Sequence, residues 1–93
     1  MIKRISMWKL SDPSQAQAMK TRLLSMRGQV PSLMDIEVGI NQSSHASAYD
    51  IVFIGSFKDQ SALSDFENDL YHLEVGEYVA TVKVDRKVVE FLI

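Results

Sequence analysis

The chain has 93 residues, 46% hydrophobic and 24% charged, the size and balance of one globular domain over residues 1–93 with no room for a second. Ten basic and twelve acidic residues are interspersed to a net charge of −2, which offers no electrostatic footprint for nucleic acid or an anionic membrane. With no cysteine, disulfides and thiolate chemistry are excluded, and with neither a signal-peptide core nor an apolar run of roughly 18–20 residues the expected location is the cytoplasm.

Residues 2–10, IKRISMWKL, alternate as a strand: Ile2, Arg4, Ser6, Trp8 and Leu10 share one face, Lys3, Ile5, Met7 and Lys9 the other. The second face is apolar in its middle and cationic at its ends, as expected of a surface buried at its centre with lysines reaching solvent at the rim. A helix follows. Asp12 is placed to cap it, Pro13 suits its first position, and Gln15 sits where a capping-box partner belongs. Ala16, Met19, Leu23 and Met26 recur at helical spacing, Gly28 can end the helix, and Pro31 prevents its continuation.

Leu33–Asn41 reads as a second strand with Ile36, Val38 and Ile40 on one face. The polar run QSSHASA, Gln42–Ala48, has hairpin-loop character and makes the flanking strands antiparallel neighbours, with His45 a solvated loop residue. Tyr49–Phe57, YDIVFIGSF, is apolar on both faces and is expected to be a central strand covered on both sides. Tyr49, Ile51, Phe53 and Phe57 should meet helices, and Val52 and Ile54 the opposite cover. Gly55, on the helix side, leaves space for a ligand or for a bulky neighbour such as Trp8.

Asp59 should cap a second helix with Leu63, Phe66 and Leu70 facing the core. Its continuation through Tyr71–Val79 either persists or breaks near Gly76, where glycine costs a helix interior ~1 kcal/mol relative to alanine. The terminal TVKVDRKVVEFLI alternates as a last strand with a bulge expected around Asp85–Lys87, and its tail Phe91, Leu92 and Ile93 is expected to be kept from water.

This order predicts an α+β, ferredoxin-like βαββαβ fold: a four-stranded antiparallel sheet with its helices on one face. The other face has no cover within the chain. Ile5, Met7, Val52 and Ile54 are therefore the expected interface of a homodimer, two sheets closing into an α/β barrel.

MIKRISMWKLSD, DIEVGIN, YDIVFIGSF with its following Lys-Asp, and HLEVGEYV before a terminal VVEF together resemble the stress-responsive dimeric α/β-barrel (Dabb) domain family over nearly the whole chain. The resemblance implies the same fold and dimer, in a family whose members are mostly small, cofactor-free and without assigned chemistry. In its polyketide-cyclase relatives the chemistry is attributed to a first-strand histidine and to a tyrosine and a histidine on the second helix. Matched here, those positions hold Arg4, Phe66 and His72. The run Tyr-x-x-His-Pro-x-His corresponds to Phe66-Glu67-Asn68-Asp69-Leu70-Tyr71-His72, so only the last histidine is kept. Phe66 has no hydroxyl to donate and Arg4 cannot act as a base near neutrality.

His72 is thus the one candidate for acid–base chemistry; the alternative is a histidine packed under the helix end, and Asp69, three residues earlier, could orient it. Arg4 beside Trp8 on an apolar wall suits an aromatic acid. Alternatively Arg4 is paired with a carboxylate, Asp50, Asp69 or Glu90, and Trp8 is core. His45 and His72 lie too far apart in sequence to form a metal-ligand pair, and there is no phosphate-binding glycine loop. The expected function is binding of a small hydrophobic or aromatic molecule, without a cofactor, in a pocket lined by Arg4, Trp8, Leu23, Phe53, Phe66 and His72. Set beside it are a non-catalytic stress-related structural dimer and a cofactor-free enzyme of the polyketide-cyclase or monooxygenase type.

Overall fold

A computed structural model describes all 93 residues. Four strands, β1 (Ile2–Leu10), β2 (Asp35–Ile40), β3 (Ile51–Phe57) and β4 (Lys83–Leu92), form one sheet in the order β2-β3-β1-β4. Every neighbouring pair is antiparallel. Helices α1 (Ala16–Leu24), α2 (Gln60–Asn68) and α3 (Leu70–Val82) supply the second layer. The ferredoxin-like architecture expected from the sequence is the one formed.

The two inner strands are β3 and β1, the two whose sequences are apolar on both faces. On the helix side, Ile2, Trp8 and Leu10 of β1 and Ile51, Phe53 and Phe57 of β3 join Met19, Leu23, Leu63, Phe66, Val75 and Val79 in a continuous buried core. The opposite, outer face carries Ile5, Met7, Val52 and Ile54, all left partly exposed. Tyr49 does not meet the helices: it precedes β3, and its hydroxyl donates to Asp85 Oδ2 at 2.5 Å.

Local chemistry explains the helix boundaries. Asp12 accepts from the Ser14 N–H at 3.0 Å and from its hydroxyl at 2.8 Å, closing a 3₁₀ turn, Pro13–Gln15, that leads into α1. Gln15 makes no capping bond, so the expected capping box is absent. α1 ends with Ser25 as its C-cap, and Gly28, in the turn that follows, adopts a φ of 80°, a left-handed conformation open to glycine at little steric cost. Asp59 caps α2 by accepting from Ala62 N–H at 2.9 Å.

The break in the second helical region falls at Asp69 rather than Gly76. Asp69 takes an extended ψ of 129° and its carboxylate accepts from the N–H groups of Tyr71, at 2.8 Å, and His72, at 3.2 Å. An aspartate offers more as a cap than within a helix, and α3 then runs through Gly76 uninterrupted. The break turns Leu70 out of the expected core stripe, leaving it 79% exposed. In β4 the register with β1 shifts between Lys9 opposite Asp85 and Leu10 opposite Lys83, so the bulge sits at Val84, just before the stretch expected. Phe91, Leu92 and Ile93 remain exposed in the single chain, contrary to expectation.

Gly55 makes room for neither a ligand nor Trp8. A Cβ there would lie 2.6 and 2.9 Å from two Phe53 ring carbons and 3.2 Å from Leu33 Cδ1. Gly55→Ala should therefore destabilise the fold by about 1–3 kcal/mol through overpacking, seen as a lower midpoint in chemical denaturation. An unchanged midpoint would mean that the Phe53 ring relaxes freely.

Candidate functional site

The site is built on the inner face of β1 where the helical layer stops short. Register sets Arg4 opposite Glu90, Ser6 opposite Val88 and Trp8 opposite Arg86, so the inner residues of β4 flank those of β1. None of those three β4 residues is buried, because the helices do not extend over this edge. Between α3 and β4 a chamber of about 40 Å³ lies beneath the helix, bordered by Trp8, Leu23, Phe53, Phe66, His72 and Val79 among others. It adjoins a vestibule of about 270 Å³ bordered by Arg4, Glu67, Lys83, Arg86, Val88 and Glu90.

Arg4 is the charged centre, its side chain only 9% exposed. Its Nε donates to Glu90 Oε2 at 2.7 Å, and its Nη2 pairs with Glu90 and with Glu67 Oε1. Burial alone would lower its pKa, but hydrogen bonding to Glu67 and then Glu90 outweighs that and holds it above the ordinary value. Of the three partners expected from sequence, Glu90 is one. Asp50 instead accepts from the Leu10 N–H at 2.7 Å, and Asp69 is occupied in capping α3.

Phe66 is the hub of the apolar wall. Its ring lies 4.9 Å from Phe57 and 6.2 Å from Phe53, and the His72 imidazole stacks on it at 3.9 Å with planes 25° apart. Burial lowers the His72 pKa from 6.5, only partly offset by the Phe66 carbonyl and by the charges of Glu67 and Asp69. Nδ1 is sealed from solvent with no hydrogen-bond partner. Asp69 does not orient the ring, because its carboxylate is bound to backbone. A neutral imidazole can accept a proton or a hydrogen bond near pH 7, whereas Phe66 supplies no donor.

Arg86 closes the mouth. Its guanidinium lies over the Trp8 ring, 5.9 Å from the centroid, and Nη2 donates to Ser6 Oγ at 3.2 Å. It pairs with no carboxylate, unlike Arg4 beside it. No cluster of three histidine, aspartate or glutamate side chains converges in a metal-ligand arrangement anywhere in the chain.

The sequence-chosen residues Arg4, Trp8, Leu23, Phe53, Phe66 and His72 all border the one chamber. Sequence reasoning missed Ser6, Glu67, Gly76 and Arg86. Arg86 becomes visible only when β4 is set in register against Trp8, and Glu67 only when α2 is docked over Arg4. Ile5, Met7, Val52 and Ile54 lie on the other side of the sheet, away from the chamber. No helix is long and apolar enough to cross a membrane.

A four-stranded antiparallel sheet with helices on one face and a cleft at its uncovered edge defines a small ferredoxin-like domain. The family model for the stress responsive A/B barrel domain, Dabb, matches residues 2–93, and the chain belongs to that family. Among solved structures it is similar to a dimeric ferredoxin-like protein of unknown function from Thermobifida fusca, at 20% identity and a TM-score of 0.87, covering 99% of this chain and 90% of that one. A dimeric protein of unknown function from Bacteroides fragilis is similar at 19% identity and 0.86, covering 99% and 95%. A hydroxynitrile lyase from Passiflora edulis shares the fold at 11% identity and 0.85, covering 99% and 92%. No curated protein matches by sequence.

Because the His72 pKa is lowered on folding, the unfolded chain binds the extra proton more readily. Stability due to this group is full above the unfolded pKa of about 6.5 and falls with pH until the lower folded pKa is passed. The melting temperature of the parent should therefore drop more steeply between about pH 7 and pH 5 than that of His72→Gln, which retains Arg4, Glu67 and Asp69. Equal slopes would show that the imidazole is not held neutral.

Proposed function

We propose that this protein is a homodimer in which each protomer binds a small, largely apolar molecule in the cleft between α3 and β4. The carrying observation is Gly76. It lies inside α3 on the border of both chamber and vestibule, and a Cβ built on it meets nothing within 4 Å. Alanine there would stabilise a helix interior by roughly 0.8–1.0 kcal/mol without a clash, so glycine has no packing reason in the free protein. It keeps the helix wall thin beside an opening lined by Trp8 and the Phe66–His72 stack. Binding pockets combine an apolar lining with a few convergent polar groups in this way.

Gly76→Ala should raise the melting temperature, and Gly76→Leu should fill the opening while leaving the chain folded. A metabolite-library thermal-shift screen then tests the reading, because a ligand of the folded state stabilises it as occupancy rises. Ligands that stabilise the parent should fail to stabilise Gly76→Leu. Equal responses from both, or none from the parent, would remove the cleft as a binding site.

The dimer rests on the outer face. Register aligns Glu37, Ile54, Ile5 and Val89 in its central row, with Gly39, Val52, Met7 and Lys87 on one side and Asp35, Ser56, Lys3 and Phe91 on the other. The patch is apolar in its middle, acidic at the β2 edge and basic toward β1 and β4. A two-fold axis along the strands sets the acidic edge of one sheet against the basic edge of its partner, which favours a second copy as occupant. The dimeric Thermobifida fusca and Bacteroides fragilis proteins support the same reading. Ile54→Lys should yield monomer or aggregate in sedimentation; an intact dimer would place the interface elsewhere.

A further inference from the structure

We propose that the cleft selects a small carboxylate anion with a flat apolar body, and that Arg86 is the residue that recognises the anion. The proposal rests on the cleft being a binding site and adds the chemical class of what enters it. Two arginines face the opening, but only one is committed. Arg4 spends its fork on Glu67 and Glu90, so its charge is already answered inside the protein. Arg86 donates to a neutral hydroxyl, that of the buried Ser6, and has no ion-pair partner.

An ordinary surface arginine extends into water, where its charge is best solvated. Arg86 instead turns inward across the Trp8 ring, toward another cation. Burial first, and then Arg4, lowers its pKa, and the more distant charges of Glu67 and Glu90 only partly restore it. A guanidinium in that position gains most from an anion that can bind two of its donors, because charge-assisted bidentate bonds are roughly twice as strong as neutral ones.

The charge around the opening agrees. Arg4, Lys83 and Arg86 border the vestibule against Glu67 and Glu90, leaving one uncompensated positive charge with His72 neutral. The whole chain is net −2, so the cleft is a local cationic exception. Both glutamates are engaged by Arg4, which leaves Arg86 and Lys83 facing the opening. Behind them the walls are apolar and aromatic: Trp8 under the guanidinium, then Phe53, Phe66 and Val79. The chamber of about 40 Å³ and the vestibule of about 270 Å³ are each smaller than the roughly 300–1,000 Å³ typical of ligand pockets, which suits a body of no more than one ring.

Trp8 is the only tryptophan, so its fluorescence reports on the site directly. Benzoate titrated into the full chain should change Trp8 emission with an affinity about tenfold or more above that of neutral, isosteric benzamide, and the advantage should shrink as salt is added. Arg86→Gln should abolish the preference for benzoate, so that the two probes bind alike, and Arg86→Lys should keep part of it. Arg86 lies on an exposed edge strand, and a circular dichroism melt establishes that both variants are folded. Equal binding of benzoate and benzamide by the parent overturns the anion proposal while leaving the cleft as a binding site. A benzoate preference that survives Arg86→Gln overturns the role of Arg86. If neither probe perturbs Trp8, and no library compound distinguishes the parent from Gly76→Leu, the binding site itself fails.

Discussion

A cation with its side chain nine-tenths buried in the middle of the sheet's inner face determines much of what surrounds it. Arg4 stands where a hydrophobic residue would complete the core, and an unpaired charge at such a position is far too costly to keep. Its two carboxylates come from different directions, Glu67 from the last turns of α2 and Glu90 from β4. Together they tie helix, central strand and edge strand at one point. Both glutamates remain partly solvated, 48% and 38% exposed, which lessens their desolvation penalty. The helical layer cannot seal this end of the sheet without stripping that water, so a cleft between α3 and β4 accompanies the ion cluster.

The asymmetry of such a cluster bears on its persistence. Taking away Arg4 would leave two accessible carboxylates that water can serve, whereas taking away both glutamates would strand a buried guanidinium, at a penalty of order 3–5 kcal/mol. The glutamates are therefore obligatory wherever Arg4 is present. The resemblance to polyketide-cyclase relatives implied a histidine at this strand position and a tyrosine at Phe66. With arginine and phenylalanine in those places, the polar groups needed for proton transfer become an ion cluster and an apolar stack.

The fold was legible because its main signals are local or periodic. β3 is apolar on both faces, Asp12-Pro13 and Asp59 mark helix starts, and the Gln42–Ala48 loop joins antiparallel neighbours; each works through residues close in sequence. The misreadings share a different cause. Gly76 was one of two alternatives, a break or an unbroken helix, because glycine is intrinsically poor there; α3 runs through it, and the break comes seven residues earlier at Asp69, which has a stronger use as a cap. Leu70 then moves off the core face, although its spacing from Phe66 fits an unbroken helix. The six residues expected along one wall do border a common chamber, whereas Arg86 and Glu67 were missed because they depend on register and docking between segments more than sixty residues apart.

The single chain also leaves two separate apolar demands at its uncovered edge. Phe91 and Val89 point to the outer face and extend the row formed by Ile5 and Ile54, so a second sheet would cover them. Val88 and Leu92 point to the inner face beyond the helices, where a sheet on the other side cannot reach them. The exposure of this strand thus has two parts that need different cover, the outer one accessible to a second sheet and the inner one adjoining the cleft. Val88 borders the vestibule beside Arg86 and Glu90, so a molecule occupying that space would cover part of the inner apolar surface while meeting the guanidinium. Opposite faces of one edge strand would then serve assembly and ligand binding without sharing a side chain, because the pleat sends alternate residues to opposite sides.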